Sequence, residues 1–310
     1  MLRKFVRGGV AAALCSDPDV VWLDLLSPTE AEEQEVEGAL EINVPTPAER
    51  AAFEESSRFY EEGGALFLTA TLLGRRNEGP AVSGPVTFIL TKQRLVTVRQ
   101  INPRAFDVGE GRASARLRSA ASGADVLFAL LEGAAERLAD LIADNVTETN
   151  LISTRIFDRA AATDPREIVR DLGRIGTLAA LTHDSLASLK RLLAFARVVR
   201  ERHALDVERI DALARDAAEL ERVVEALQPR LAFLQDATLG LINASQTNVL
   251  KALSLATIAF VPPTLIASIF GMNFEAMTWF RSSWGPWAAA ALMILAPAAL
   301  FTIAKWRRWF

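Results

Sequence analysis

Two stretches, residues 252–274 and 282–304, each run for 23 residues without a charged side chain. A helix needs about 20 predominantly apolar residues to cross the hydrocarbon core of a bilayer, so both stretches are long enough to span it. Beyond Lys251 the charged residues are Glu275, Arg281, Lys305, Arg307 and Arg308. The chain has 310 residues, 51% of them hydrophobic and 23% charged, and nearly all of the charge precedes the two stretches. This pattern predicts a membrane protein with most of its mass outside the membrane. Lys251 stands before the first stretch and Lys305, Arg307 and Arg308 follow the second, while Glu275 to Arg281 sums to zero. The positive-inside rule then puts both ends of the chain in the cytoplasm and the short connection outside. Trp279, Trp284 and Trp287 at one side, with Trp306 and Trp309 at the other, fit interfacial aromatic belts.

Composition excludes several classes. One cysteine, Cys15, allows no internal disulfide framework. Two histidines, His183 and His203, give poor support for a Cys/His zinc cage or a Ser-His-Asp constellation. A net charge of −4 offers no basic footprint for nucleic acid. No GxxxxGK[ST] or GxGxxG loop is present to cradle a nucleotide. Enzymatic chemistry and ATP-driven pumping are therefore not expected, and no organic cofactor is implied.

Three segments are expected along the chain: an α+β cytoplasmic domain over 1–122, a helical cytoplasmic domain and stalk over 123–249, and a membrane domain over 250–310 with spans at about 250–270 and 285–304. Met1-Leu2-Arg3-Lys4 ahead of Val10 to Cys15 faintly resembles a signal peptide. Its six apolar residues are short for that role and lead straight into Asp17, so this region reads as a first strand. Val20 to Leu26 has strand composition, and Ser27-Pro28-Thr29-Glu30 reads as a helix start with Ser27 as N-cap and Glu30 completing a capping box. The helix should run to about Leu40. Thr46-Pro47-Ala48-Glu49 repeats the device. Strands are expected at Ala65 to Leu73, Pro85 to Thr91 and Arg94 to Arg99, the last two joined as a hairpin across Lys92-Gln93.

From Ala124 the pattern turns helical, with one segment to about Asp158, a restart at Asp164-Pro165 running to about His203, and a third segment from Asp206 with no stop before the membrane. In that third segment Leu213, Ala217, Leu220, Val224, Leu227, Leu231, Leu234, Thr238 and Leu241 form a heptad-like seam. Pro229 should kink the helix or mark a boundary within it. Even from Arg230 to Phe270, a 1.5 Å rise gives about 60 Å, twice the ~30 Å hydrocarbon core, so the first span should be the top of a cytoplasmic stalk.

Along the first span, Thr247, Leu250, Ser254, Thr257, Val261, Thr264 and Ser268 recur at alternating spacings of three and four and share one helix face. Small hydroxyl residues serve close helix packing and bond back to their own carbonyls. The same face could also wall a pore. Two spans per chain cannot enclose one, so a pore demands a symmetric ring of subunits.

The stripe ends at Phe270-Gly271-Met272-Asn273-Phe274, preceded by Val261-Pro262-Pro263-Thr264-Leu265-Ile266-Ala267-Ser268 and followed by Glu275-Ala276-Met277. This resembles the CorA family of divalent-cation channels, whose signature is Gly-Met-Asn at the outer end of the first of two C-terminal spans. Val21-Trp22-Leu23-Asp24-Leu25, Glu55-Ser56-Ser57-Arg58-Phe59 and Gly240-Leu241-Ile242-Asn243 resemble its proteobacterial branch, so the likeness covers essentially the whole chain. The sequence departs from the family where Met277 is followed by Thr278-Trp279 rather than by proline, which bears on the loop conformation and on selectivity.

The resemblance implies a homopentamer in a bacterial inner membrane. It implies Mg²⁺ influx, with Co²⁺ and Ni²⁺ as further permeants. Gly271, Met272 and Asn273 would form the selectivity filter, with Glu275 at the mouth. Thr247, Leu250, Leu253, Ser254, Thr257, Val261, Thr264 and Ser268 would line the pore, and Leu250, Leu253 or Ser254, and Val261 fall where the family narrows it. Gly271 is expected to end the helix by its freedom at positive φ, with Met272 packing the turn. Mg²⁺ dehydrates reluctantly, so a ring of Asn273 carbonyls would hold it through its water shell. In the family, divalent ions on cytoplasmic acidic residues hold the closed state, which makes Mg²⁺ a regulatory ligand too. Asp211, Asp216 and Glu219, or the acidic Glu30 to Glu37 helix, are the candidates here. Two rivals remain: a zinc transporter of the ZntB type, and a membrane-anchored sensor that does not conduct. The residues after Asn273 argue against the first, and the hydroxyl stripe against the second.

Overall fold

A computed structural model describes residues 1–6, 9–10, 17, 19–51, 58–75, 81–107, 112–158, 164–272 and 284–307. Its contacts gather into two units, Met1–Gln235 and Asp236–Phe310.

The first unit opens with a mixed sheet. Its strands are β1 (Leu2–Val6), β2 (Gly9–Val10), β3 (Val20–Leu26), β4 (Phe59–Glu62), β5 (Ala65–Arg75), β6 (Ala81–Leu90) and β7 (Leu95–Arg99). They lie in the order β2-β1-β3-β7-β6-β5-β4. Every pairing is antiparallel except β3 with β7, which run parallel with Trp22 opposite Leu95 and Leu26 opposite Arg99. The expected hairpin across Lys92-Gln93 is present, with Leu90 opposite Leu95. Strand β4 went unread, because four residues ending in Glu61-Glu62 carry too little alternation to stand out.

The period-two alternation of side chains gives the sheet two apolar faces. Leu66, Leu68, Ala70 and Leu72 of β5, with Val86 and Phe88 of β6, point into a large core shared with the long helices. Phe67, Ile89, Val96 and Val98 face a smaller core closed by Val36 and Val44.

Two short helices, α1 (Glu30–Leu40) and α2 (Pro47–Ala51), follow β3. The cap of α1 is Thr29, not Ser27. Ser27 sits at φ 43° and its amide donates to the Arg99 carbonyl at 2.8 Å, so it belongs to the end of the sheet. Thr29 and Glu32 make the capping box instead. Glu32 also accepts from the Leu2 amide at 2.9 Å, and these backbone donors, Thr29 first, hold its carboxyl down at about 2. At α2 the expected box is observed. The Glu49 carboxylate accepts from the Thr46 amide and the Thr46 hydroxyl, both at 2.8 Å, which lowers its pKa, and the Glu49 amide donates to the Thr46 hydroxyl at 3.3 Å.

After a short helix α3 (Arg112–Ser119) come α4 (Gly123–Phe157), α5 (Pro165–Val199) and α6 (Val207–Phe270). Asp164 caps α5 ahead of Pro165, as the sequence predicts. The seam of α6 is buried from Leu213 through Leu234 with Leu220 half-buried, and Thr238 is buried as well, while Leu241 is 42% exposed. Leu213, Ala217 and Val224 join the core that α4 and α5 share with the sheet. Helix α6 passes Pro229 without a break. Pro229 withholds the amide that would serve the Glu225 carbonyl, and both residues are exposed, so water can take its place.

Candidate ion pathway

Within the second unit, residues 236–270 continue α6 and are followed, beyond residues outside the described set, by α7 (Gly285–Trp306). Both helices are long and apolar enough to span a bilayer. The apolar window of α6 has none of its residues buried within the chain, and that of α7 has 11%. Leu255, Phe260, Leu265 and Ile269 are all exposed. Left in water, that surface would cost about 25 cal/mol per Å², so it calls for lipid or other helices around it. Trp284, Trp287 and Trp306 are exposed at the ends of α7, while Trp279 and Trp309 lie outside the described residues. Lys305 falls in the last turn of α7 and Arg307 caps it, where cations complement the helix dipole.

The hydroxyl stripe lies along one face of α6 as the spacing requires, and Thr247, Leu250, Leu253, Ser254, Thr257, Val261, Thr264 and Ser268 are all exposed. Thr247, Thr257 and Thr264 donate to the carbonyls of Asn243, Leu253 and Phe260 at 2.8, 3.0 and 2.6 Å. Each hydroxyl proton is thereby committed to the helix, and the oxygen's remaining lone pairs face outward. Such a face presents acceptors, which suit the outward-pointing hydrogens of a cation's water shell. Pro262 and Pro263 cannot donate to the carbonyls of Ile258 and Ala259. By the 100° step of the helix, Ala259 falls opposite the hydroxyl face and Ile258 at its margin.

The helix ends at Gly271, whose amide donates to the Ala267 carbonyl at 2.8 Å, and Met272 follows with a longer bond to Ile269 at 3.4 Å. The expectation of a positive φ at Gly271 is not met. Only Gly63 and Gly64 among the described glycines adopt one. A Cβ at this position would stand 3.1 Å from the Ala267 carbonyl oxygen, a tight contact that a shift of a few tenths of an ångström would relieve. Met272 is 50% exposed rather than packed on the turn. Asn273 and Glu275 lie outside the described residues.

The candidate regulatory carboxylates separate. Asp211 is paired with Arg197 of α5 at 3.2 Å. Asp216 and Glu219 line an open groove of about 460 Å³ together with Glu132, Glu136, Arg116 and Arg209. There Arg209 and Arg116 neutralise Glu132 and Glu136 at 2.7 and 2.9 Å. The carboxylates of α1 have structural work: Glu32 caps, Glu35 pairs with Lys4 at 2.8 Å, and Glu37 accepts from the Val44 amide at 2.8 Å.

Sequence reasoning also missed a buried network beneath the sheet. Arg99 donates to both oxygens of Asp24, at 2.9 and 2.8 Å, and to the Ile101 carbonyl and Asn102 side chain. Thr97 donates to Asp24 and accepts from the Trp22 indole. A lone acid in an apolar strand, Val20 to Leu26, was the available signal.

A mixed-sheet domain, a helix shared between that domain and the membrane, and a second span make this a two-span membrane protein with a hydroxyl-faced first span. The family model described as CorA-like Mg²⁺ transporter protein matches residues 17–307, and the chain belongs to that family. It is 28% identical to the magnesium transport protein CorA of Wolinella succinogenes, over 94% of this chain and 92% of the relative. It is also 28% identical to the protein of the same name from Salmonella typhimurium, with the same coverages. Its fold matches the complete structure of the CorA magnesium transporter from Methanocaldococcus jannaschii with a TM-score of 0.72 at 18% identity, covering 98% of this chain and 96% of that one.

Proposed function

We propose that this chain is a channel that admits Mg²⁺ to the cytoplasm, driven by the membrane potential, as a homopentamer in a bacterial inner membrane with both termini inside. The observation that carries the reading is the row of outward-facing hydroxyl oxygens on α6 leading to the Gly271-Met272 turn, in a chain whose family match runs through it. The relatives are named for magnesium transport, and the same cargo suits this span. No carboxylate lies within residues 252–274 to strip an ion of its water, and Mg²⁺ gives up its shell more reluctantly than Ca²⁺. A potential of 100 mV supplies about 4.6 kcal/mol for a divalent ion, so no pump is required.

In this reading Gly271, Met272 and Asn273 form the filter at the outer mouth, Glu275 concentrates cations there, and Leu250, Leu253 and Val261 narrow the pore, where apolar rings gate by dewetting. Five copies of α6 would surround the path. Co²⁺ and Ni²⁺ pass as hydrated ions of similar charge and size. Intracellular Mg²⁺ closes the channel from the cytoplasmic domain, and Asp216 and Glu219 suit that role better than Asp211, whose charge Arg197 already neutralises. The test is divalent-ion flux into proteoliposomes, with Mg²⁺ and Zn²⁺ in parallel and Asn273→Ala as control. Mg²⁺ uptake that follows an imposed potential and is lost in Asn273→Ala is expected. Uptake of Zn²⁺ alone, or of no ion, overturns the proposal.

A further inference from the structure

The chain has two histidines, and they are used differently. His203 lies against Glu61 at 2.8 Å and is 10% exposed on its side chain. His183, on α5, is half-buried and faces α6, where it meets Glu221 and Glu225. One ligand atom from each of the three lies within 4.8 Å of the others. The two glutamates are four residues apart and so share a face of α6, and His183 comes from the neighbouring helix. First-row metals bind imidazole nitrogen and carboxylate oxygen at about 2.0–2.2 Å, which puts tetrahedral ligand atoms about 3.4 Å apart. The donors stand within 4.8 Å of one another, so closing on an ion asks for shifts on the order of 1 Å at the ends of the side chains. The Asp184 carboxylate, 3.9 Å from His183 Nδ1, adds negative charge beside the cluster.

A cation already stands at one edge of it. The Lys190 ammonium, also on α5, pairs with Glu221, whose side chain is 15% exposed. A carboxylate has two oxygens, so Glu221 can keep Lys190 on one and offer the other, although the ammonium's charge opposes a second cation.

We propose that His183, Glu221 and Glu225 form a binding site for a borderline transition-metal ion of the Zn²⁺, Co²⁺ or Ni²⁺ class, bridging α5 and α6 and leaving a coordination position for water. The imidazole decides the class: Mg²⁺ takes oxygen ligands in near-ideal octahedra, whereas a nitrogen donor favours later first-row metals. The site is intramolecular, lies within Met1–Gln235, and is separate from the groove of Asp216 and Glu219 in its ligands and in the ion it selects. It does not depend on conduction, so its test can fail while the channel reading stands, and the reverse.

The experiment is calorimetric titration of the purified full chain with Zn²⁺ in a large excess of Mg²⁺, which fills oxygen-only sites. One Zn²⁺ per chain, not displaced by Mg²⁺, is expected. Loss of an outer partner of a metal ligand costs about 10–100-fold in affinity, so losing a ligand in His183→Ala or Glu225→Gln should weaken binding at least tenfold. His203→Ala should leave it unchanged. Lys190→Met removes the competing cation and should tighten binding, a gain that misfolding cannot mimic. Substituting Co²⁺ should give a visible ligand-field band that shifts in His183→Ala. Zn²⁺ affinity equal to the parent's in His183→Ala, loss in His203→Ala, or displacement by Mg²⁺ would each overturn the proposal.

Discussion

Asp24 and Arg99 are 1% and 0% exposed; two charge-assisted hydrogen bonds join them, and the guanidinium also lies over the Phe106 ring at 4.5 Å. Breaking a buried pair by removing one partner strands a charge and costs about 3–5 kcal/mol. Asp24→Asn should therefore sharply lower the melting temperature of the detergent-purified protein, while a paired Asp24→Leu/Arg99→Met replacement should recover much of it; equal losses from the single and paired changes would refute the coupling. Tyr60 is the one tyrosine of the chain. Burial, with Glu62 and Glu49 adding to it, raises its phenol from 10.0 to about 12. The folded state keeps a proton that the unfolded chain releases, so stability from this group is intact below pH 10 and falls between 10 and 12. Ultraviolet titration should show tyrosinate appearing near 12 in the folded protein and near 10 in denaturant. Glu32 runs the other way. Its carboxyl is lowered from 4.5 to about 2, so its contribution is present above pH 4.5 and fades as pH falls through 2. Glu32→Gln should flatten that acid limb.

At the scale of elements, close approach matters most where α4 begins. A Cβ on Gly123 would stand 2.4 Å from the Arg94 carbonyl carbon and 2.6 Å from the Leu95 nitrogen. Backbone cannot step aside as a flexible side chain can. Gly123→Ala should cost more than the about 1–3 kcal/mol typical of overpacking, read as a fall in melting temperature that Gly173→Ala, with open space around it, does not share. The α6 seam gives a second case: Leu234 is 1% exposed, and Leu234→Ala should cost about 2–5 kcal/mol. Helices α4, α5 and α6 were legible because their periods run for many turns and Asp164-Pro165 marks a start. Ser27 misled because a Ser-Pro pair satisfies the same local rule as Thr29 with Glu32, and the hydrogen bond that draws Ser27 away comes from β7, over seventy residues distant. The capping motif is local, and its competitor was not.

For the whole molecule, the exposed apolar surface of residues 252–270 and 285–304 requires partners that a single chain does not supply, and the proposed channel would turn the hydroxyl face of α6 toward the ion path and the rest toward lipid or other helices. Thr264→Leu should sharply reduce Mg²⁺ flux in proteoliposomes while leaving expression and oligomer size as in the parent, since leucine suits a lipid-facing or packed position but dries a pore-facing one. Unchanged flux would take Thr264 off the ion path.

The two spans, the charge asymmetry around them, the hydroxyl stripe and the Gly-Met-Asn signature were readable in the sequence, because each is a run, a period or a contiguous word, and helix geometry converts such patterns directly into a face or a length. Which acids are spent on folding and which are free was decided only in three dimensions. Asp211 and Asp216 are five residues apart on one helix, yet one meets Arg197 and the other a groove. His183 and Glu221 gain their meaning from the packing of α5 on α6. Charge in a sequence is a number, but its role depends on distance and burial, and those arise from contacts between segments far apart in the chain.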